Sequence, residues 1–226
     1  NSLKLMSQRI VFMGTPEFSV SALKSLVNSN HEVLAVYSQP ANKAHRGQKI
    51  IPSSVELFAK KCSLNLRTPV ILDNDEEYDF LKSLKPDIVI VIAYGKIIPK
   101  RFFNLAKYGF INVHASLLPK WRGAAPIQRS IMNLDNQTGI SIMKIVEELD
   151  AGPVMHQEKI HINEKVDTYA ALALYYLIDN NIINDNIKIG NLFDKVISIN
   201  KDIELKNLII FKKALYFSDK YPENEM

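Results

Sequence analysis

The sequence predicts an α/β fold, namely a Rossmann-like, mostly parallel sheet with helices on both of its faces. Two observations predict it. In the first half of the 226-residue chain, short β-branched apolar runs alternate with amphipathic segments of helical period, which is the pattern of successive βαβ units. Residues 87–93, Asp-Ile-Val-Ile-Val-Ile-Ala, are apolar without polar alternation, as expected for a central parallel strand that is buried on both faces.

The predicted strands are short apolar runs that end at turn residues. The first ends at Gly14-Thr15-Pro16, and the last leads directly into Asn112. Because active sites of such sheets lie at the carboxyl ends of the strands, functional residues are expected just beyond these ends. The predicted strands cover residues 9–13, 32–38, 87–93 and 109–111.

The predicted helices have apolar residues at helical spacing. In the first helix Val20, Leu23 and Val27 share one stripe, and in the second Val55 and Phe58 do so. Such stripes indicate helices that pack on a sheet. The predicted helices cover residues 19–28, 53–61 and 167–179.

Composition limits the class of protein. A hydrophobic fraction of 47% and a charged fraction of 23% are typical of a soluble globular protein, and no apolar run reaches bilayer length. A single cysteine, Cys62, excludes an intrachain disulfide and a cysteine-based zinc cluster. These features favour the cytoplasm and no membrane partner. The net charge of +4 is compatible with a polyanionic partner such as RNA but does not require one.

Two other kinds of site are not indicated. The turn after the first strand lacks the Gly-x-Gly-x-x-Gly spacing of dinucleotide sites, and Pro16 and Phe18 would obstruct a pyrophosphate. A Gly-Lys-Ser/Thr run of the Walker type is absent from the sequence. The five histidines have no paired ligand spacing, so we predict no metal site.

Asn112 and His114 are candidate catalytic residues. On a strand, residues i and i+2 point to the same face, so an amide and an imidazole can converge on one atom. This pair suits a reaction in which a carbonyl oxygen gains negative charge while a proton moves. Asp150 precedes the small residues Ala151 and Gly152 and is expected on a turn whose backbone can approach a ligand. Taken alone, the three residues also fit a buried strand end and a turn-capping Asp.

The stretch from Asn112 to Gln128, Asn-Val-His-Ala-Ser-Leu-Leu-Pro-Lys-Trp-Arg-Gly-Ala-Ala-Pro-Ile-Gln, closely resembles the signature of the formyltetrahydrofolate-dependent formyltransferases, in particular the methionyl-tRNA formyltransferases. The resemblance extends from Arg9 to about Gln157 and includes the Gly-Thr-Pro-x-Phe turn. It implies that Asn112, His114 and Asp150 are catalytic, with Asp150 in a Leu-Asp-x-Gly motif. An ionised Asp150 near His114 would stabilise the imidazolium form.

The same resemblance implies two binding segments. The folate-contacting loop of the family corresponds to Ser116, Leu117, Leu118 and Pro119, where the leucines could line a slot for the pterin and Ser116 could bind its polar edge.

The second segment is a basic loop at residues 39–51, in which Lys43, Arg46 and Lys49 could meet RNA phosphates. The Arg46-Gly47 pair matches the one with which the tRNA enzymes enter the acceptor arm, whereas Ala41 and Gln48 depart from their pattern. A solvated lysine loop is the alternative.

The resemblance therefore implies transfer of a formyl group from 10-formyltetrahydrofolate to initiator methionyl-tRNA, without a metal, by a monomer in the cytoplasm or, in a eukaryote, an organellar matrix. A catalytic domain is expected at residues 8–200 and a linker-like tail at 201–226, with the family's C-terminal tRNA-binding barrel absent.

Two alternatives remain open. One is a formyltransferase for a small amine such as glycinamide ribonucleotide or an amino sugar, against which the loop at 39–51 and the Gly-Ala-Ala-Pro-Ile-Gln run argue. The other is a non-catalytic folate- or tRNA-binding module, against which the intact Asn112, His114 and Asp150 argue.

Overall fold

The computed structural model describes residues 7–44, 49–133, 135–162, 185–199 and 203–218. The strands within these ranges are β1 (Arg9–Gly14), β2 (Glu32–Tyr37), β3 (Asn42–Ala44), β4 (Lys49–Ile51), β5 (Leu66–Arg67), β6 (Ile88–Ile92), β7 (Phe110–His114), β8 (Gln137–Lys144) and β9 (Val154–His161). The α-helices are α1 (Glu17–Val27), α2 (Ser54–Lys61), α3 (Asp75–Leu84), α4 (Pro126–Met132), α5 (Asn186–Ile199) and α6 (Ile203–Ser218), with a 3-10 turn at Lys100–Phe102. None of these helices is long and apolar enough to cross a membrane.

The main sheet has seven strands in the order β5-β2-β1-β6-β7-β8-β9. The strands from β5 to β7 run parallel, and β8 pairs antiparallel with β7. The prediction of a mostly parallel sheet is confirmed. Because β1 has β2 on one side and β6 on the other, the strand order reverses at β1. This reversal places the crevice that α/β sheets use for ligands at the carboxyl ends of β1 and β6.

The chain divides into two compact units, residues 1–114 with 141–156 and residues 115–140 with 157–226. In the first unit, neighbouring residues of β1 point to opposite faces of the sheet. Phe12 packs in a core cluster with Leu23 of α1 and Val55 of α2, whereas Val11 packs in a second cluster with Leu81 of α3. Helices therefore cover both faces, as predicted.

The second unit contains the loop after residue 114, α4, α5 and α6. Phe193 of α5 and Ile209 of α6 are fully buried, and the rings of Phe193 and Tyr216 lie 6.2 Å apart between centroids. Lys195 of α5 donates to the backbone oxygen of Asn133, which follows α4, at 3.1 Å. The helix α6 occupies much of the predicted tail, and the domain boundary at residue 200 stays a prediction.

Several elements differ from the sequence-based expectation, among them the hairpin β3–β4 and the helix α3. The basic loop at 39–51 contains the antiparallel hairpin β3–β4, whose three-residue strands are too short to show an alternating pattern. The helix α3 was not predicted, although Asn74 caps it by accepting a hydrogen bond from the backbone N–H of Glu77 at 2.8 Å. Its highly charged first turn conceals the apolar stripe. The predicted helix at 167–179 lies outside the described residues.

Candidate active site

The strand β7 positions Asn112 and His114. It lies between β6, where Val91 is opposite Asn112, and β8, where Ser141 is opposite His114. Neighbours on both sides fix the strand, and its two-residue period turns the two side chains to the same face. His114 is only 7% exposed, so its surroundings rather than solvent determine its orientation.

Both side chains converge on the carboxylate of Asp150. Asn112 Nδ2 donates to Asp150 Oδ1 at 3.3 Å, and His114 Nδ1 lies 3.5 Å from Asp150 Oδ2. Because an ionised carboxylate only accepts hydrogen bonds, the amide nitrogen of Asn112 and a protonated Nδ1 of His114 must face it. Both distances exceed the 2.7–3.2 Å usual for such bonds, and catalytic hydrogen bonds often tighten only when substrate binds.

The loop that carries Asp150 is attached to β8. Asp150 has φ +48°, in the left-handed region that residues with a Cβ seldom adopt. A Cβ on Gly152 would lie 1.8 Å from the backbone oxygen of Lys144, and the N–H of Lys144 donates to the oxygen of Pro153 at 3.0 Å. Gly152 is therefore required by its close approach to β8, and the approach of this turn to a ligand stays a prediction. Since β8 pairs with β7, this attachment fixes Asp150 relative to Asn112 and His114.

The carboxyl ends of β1 and β6 are joined by side chains to which the sequence analysis gave no role. Thr15 Oγ1 donates to the backbone oxygen of Tyr94 at 2.8 Å, and Gln39 Nε2 donates to the same oxygen at 3.2 Å. The turn that they hold contains Ala93 at φ +45° and Gly95 at φ +80°. Thr15, a small polar residue directly after β1, is the sequence signal that could have indicated this contact. The turn follows β6, the neighbour of β7, and so borders the candidate catalytic residues.

The predicted folate loop belongs to the second unit and has its own internal bonds. The buried Ser116 donates from Oγ to the backbone oxygen of Lys120 at 2.6 Å. Leu118 is 7% exposed, and its backbone oxygen accepts a bond from Gln157 Nε2 at 2.9 Å. Pro119 is exposed and Leu117 is partly exposed. The structure thus gives Ser116 and Leu118 structural contacts, and folate contact by the four residues stays a prediction.

The predicted RNA-contacting residues lie in or near the β3–β4 hairpin. Lys43 is opposite Ile50 in the hairpin, and Lys49 is opposite Ala44. These positions describe the backbone alone, and Arg46 lies outside the described residues.

For the remaining predicted features, Cys62 is partly buried at the end of α2. Within the ranges that the structure describes, no three His, Cys, Asp or Glu side chains are grouped as metal ligands. The expectation of no metal stays a prediction.

The arrangement of Asn112, His114 and Asp150 can perform acyl-transfer chemistry. An amide N–H can stabilise a developing oxyanion, and an imidazole oriented by a carboxylate can move a proton near neutral pH.

Comparison with known proteins gives the same class of chemistry. A family model described as formyl transferase matches residues 8–174. A methionyl-tRNA formyltransferase from Pelagibacter ubique is 54% identical over 191 residues, which cover 80% of this chain and 62% of the relative. One from Prochlorococcus marinus is 42% identical over 211 residues, which cover 89% of this chain and 64% of the relative. The chain thus spans less than two thirds of the length of these relatives.

Solved structures share the fold. A phosphoribosylglycinamide formyltransferase from Bacillus halodurans has a TM-score of 0.57 and 20% identity, with 74% of this chain and 87% of that chain covered. A formyltetrahydrofolate deformylase from Pseudomonas syringae has a TM-score of 0.57 and 19% identity, with 75% and 57% covered. With the family match spanning residues 8–174 of the 226, the chain belongs to the formyl transferase family.

Proposed function

We propose that this chain transfers the formyl group of 10-formyltetrahydrofolate to the amino group of initiator methionyl-tRNA. The observation that carries the reaction class is the convergence of Asn112 and His114 on the carboxylate of Asp150 at the end of β7. The names of the relatives support the acceptor, since the two compared in detail are methionyl-tRNA formyltransferases.

In the proposed reaction, the unprotonated amine of the methionyl group attacks the formyl carbon. A free α-amino group has a pKa of about 7.7–8.0, so a sizeable fraction is reactive near neutral pH. Attack forms the new C–N bond and places a negative charge on the formyl oxygen. Collapse of this intermediate breaks the bond to N10 of the folate, which takes up a proton, while the amine loses one. The enzyme must therefore stabilise an oxyanion and move a proton between two nitrogens.

Each of the three residues has a role that its geometry supports. The Nδ2 of Asn112 carries two N–H groups, and only one is needed for the bond to Asp150; the other is assigned to the oxyanion. The Nδ1 of His114 faces Asp150, so Nε2 is the atom assigned to proton transfer. Asp150 orients the imidazole of His114 through Nδ1 and can accept the proton of the amine through a water molecule.

The donor is assigned to the loop at residues 116–119, which follows His114 directly in the chain. Because the Ser116 hydroxyl already bonds within the loop, the polar edge of the pterin is assigned to backbone groups of the loop. The partly exposed Leu117 supplies apolar surface beside them.

The acceptor is assigned to the segment that contains the β3–β4 hairpin, with Lys43 and Lys49 on its strands and Arg46 between these two strands in the sequence. The protein acts as a monomer in the compartment where translation is initiated, which is the cytoplasm or an organellar matrix.

Replacement of Arg46 by Ala tests this assignment, because loss of one phosphate contact should lower kcat/KM for tRNA and flatten its salt dependence. A wild-type salt response in that variant would contradict the assignment.

The decisive experiment uses 10-formyltetrahydrofolate that is radiolabelled in the formyl group. Label should appear on charged initiator tRNA but not on uncharged tRNA, because only the former carries the acceptor amine. Glycinamide ribonucleotide and water serve as competing acceptors. Transfer of label to glycinamide ribonucleotide alone, or its release as formate alone, would contradict the proposed acceptor.

A further inference from the structure

The carboxylate of Asp135 binds several donors at once. Lys120 Nζ donates to Oδ1 at 2.6 Å, and Trp121 Nε1 donates to Oδ2 at 2.7 Å. Two further donors come from Asn133 Nδ2 at 2.6 Å and Ser130 Oγ at 3.3 Å. All five residues belong to the second unit. One side chain thus connects the loop after His114 to α4 and to the segment that follows α4.

The loop bound by Asp135 has a strained backbone. Trp121 has φ +60° and Ala125 has φ +53°, with Gly123 between them at φ +83°. The left-handed region is costly for a residue with a Cβ, and such strain persists only where the surroundings impose it. The bonds from Asp135 to Lys120 and Trp121 act at the point where the strained segment begins.

Burial and charge make these bonds strong. The Asp135 side chain is 6% exposed, so its carboxylate is largely removed from solvent, whereas the side chain of its ion-pair partner Lys120 is 53% exposed. Burial alone would raise the pKa of Asp135, but hydrogen bonds from Lys120, Asn133 and Trp121, together with the charge of Lys120, outweigh burial and lower it. The carboxylate is ionised at neutral pH, and hydrogen bonds to an ionised acceptor are about twice as strong as neutral ones.

We propose that Asp135 is a positioning residue for formyl transfer: it holds residues 116–125 in the conformation in which that loop binds the formyl donor. The inference rests on the proposed function, because it uses the assignment of the donor to residues 116–119. Asp135 acts through Lys120 and Trp121, without contact with the substrates.

The test replaces Asp135 by Asn, which keeps the shape but removes the charge and turns an N–H toward the donors. The matched control is Asp194→Asn, which removes the carboxylate that pairs with Lys213 elsewhere in the same unit. The assays are run well below the melting temperature of each variant. Asp135→Asn should raise the KM for 10-formyltetrahydrofolate and lower kcat, because the loop is misplaced. We expect kcat/KM to fall about 10-fold or more. The control should retain wild-type values.

A second readout requires no activity. Trp121 is the only tryptophan in the chain, so fluorescence excited at a wavelength that only the indole absorbs reports on this loop alone. In Asp135→Asn the emission maximum should shift to longer wavelength as the indole loses its carboxylate partner and becomes more exposed, whereas the control should not shift.

Two results would overturn the inference, namely a wild-type KM and kcat in Asp135→Asn below its melting temperature, or an unaltered emission maximum. If that variant fails to fold, Lys120→Met and Trp121→Phe each remove one donor and leave the carboxylate in place. A wild-type KM for the donor in both would equally contradict the role. Failure of the proposed function is a separate outcome, because the wild-type protein itself would then transfer no label to methionyl-tRNA.

Discussion

The carboxylate of Asp150 contacts two side chains through its two oxygens, Asn112 through Oδ1 and His114 through Oδ2. Each partner also has a proposed role toward the substrate, so the carboxylate orients the oxyanion donor and the proton carrier together. When residues act as one unit, the losses of activity from replacing them singly do not add up to the loss from replacing them together. The two catalytic side chains should therefore be compared singly and in combination.

Replacement of Asn112 or of His114 by Ala should lower kcat by about 10²-fold or more, since each is proposed to act on the transition state. The affinity for folate should change far less, because ground-state binding is assigned to the loop at 116–119. Single-turnover rates and equilibrium folate titration measure the two quantities separately. Near-wild-type turnover in both variants would contradict the assignment, and a double variant no slower than the singles would indicate that they act as a unit.

The lowered pKa of Asp135 predicts how stability depends on pH. Because its pKa is lower in the folded than in the unfolded protein, the unfolded chain binds the proton first as pH falls. The contribution of the carboxylate is therefore fully present above the unfolded pKa of about 3.9, and it is lost as pH falls through the lower folded pKa.

At about pH 7, Asp135→Asn should reduce the free energy of unfolding by about 1.5–3 kcal/mol, the usual contribution of hydrogen bonds to a charged group. Urea titrations of both proteins from neutral to acidic pH measure the difference. It should shrink at the acidic end, and a difference that grows there would contradict the sign of the shift.

At the scale of elements, β8 supports the site in two ways. It pairs with β7, which carries Asn112 and His114, and its last residue, Lys144, holds the Asp150 loop through Pro153. The catalytic geometry therefore depends on a glycine that touches no substrate in the proposed reaction. This dependence can be tested by adding a single methyl group.

Replacement of Gly152 by Ala should displace the Asp150 loop, because the new Cβ would lie 1.8 Å from the backbone oxygen of Lys144. We expect kcat to fall by up to about 10²-fold, the scale of a misplacement near 1 Å. Gly190→Ala is the matched control, since its Cβ would meet Phe217 at 3.4 Å, an ordinary contact, within helix α5. That variant should keep full activity and gain about 0.5–1 kcal/mol of stability. Equal activity of the two variants would contradict the role of Gly152.

The sequence predicts the central elements of this fold well and the polar contacts poorly. Apolar runs such as residues 87–93 reveal buried strands because a strand that is buried on both faces must be apolar at successive positions. The two-residue spacing of Asn112 and His114 reveals that they share one face of a strand. The close approach of Gly152 to Lys144 and the donors around Asp135 were not predicted. These contacts depend on how loops and strands pack in three dimensions, which no local period or propensity encodes.

At the scale of the whole molecule, the proposed site depends on segments far apart in the chain, from Thr15 and Tyr94 to Asp150. Such a site forms only in the folded protein. A ligand that binds the folded state and not the unfolded chain stabilises the fold by mass action. Thermal unfolding therefore tests folate binding without relying on tRNA.

Tetrahydrofolate, the reaction product, should raise the melting temperature of the chain. At about 100 times its dissociation constant a ligand adds about 2.7 kcal/mol, which corresponds to a shift of about 5–10 °C for a protein of this size. p-Aminobenzoylglutamate, which lacks the pterin, should give a much smaller shift, because the pterin is assigned to the loop at 116–119.

The His114→Ala variant should retain the shift given by tetrahydrofolate, since His114 is proposed to act on the transition state. Scanning calorimetry over a range of ligand concentrations measures each effect. A melting temperature that does not respond to tetrahydrofolate would contradict the folate site, and loss of the response in His114→Ala alone would assign that histidine to binding instead of catalysis.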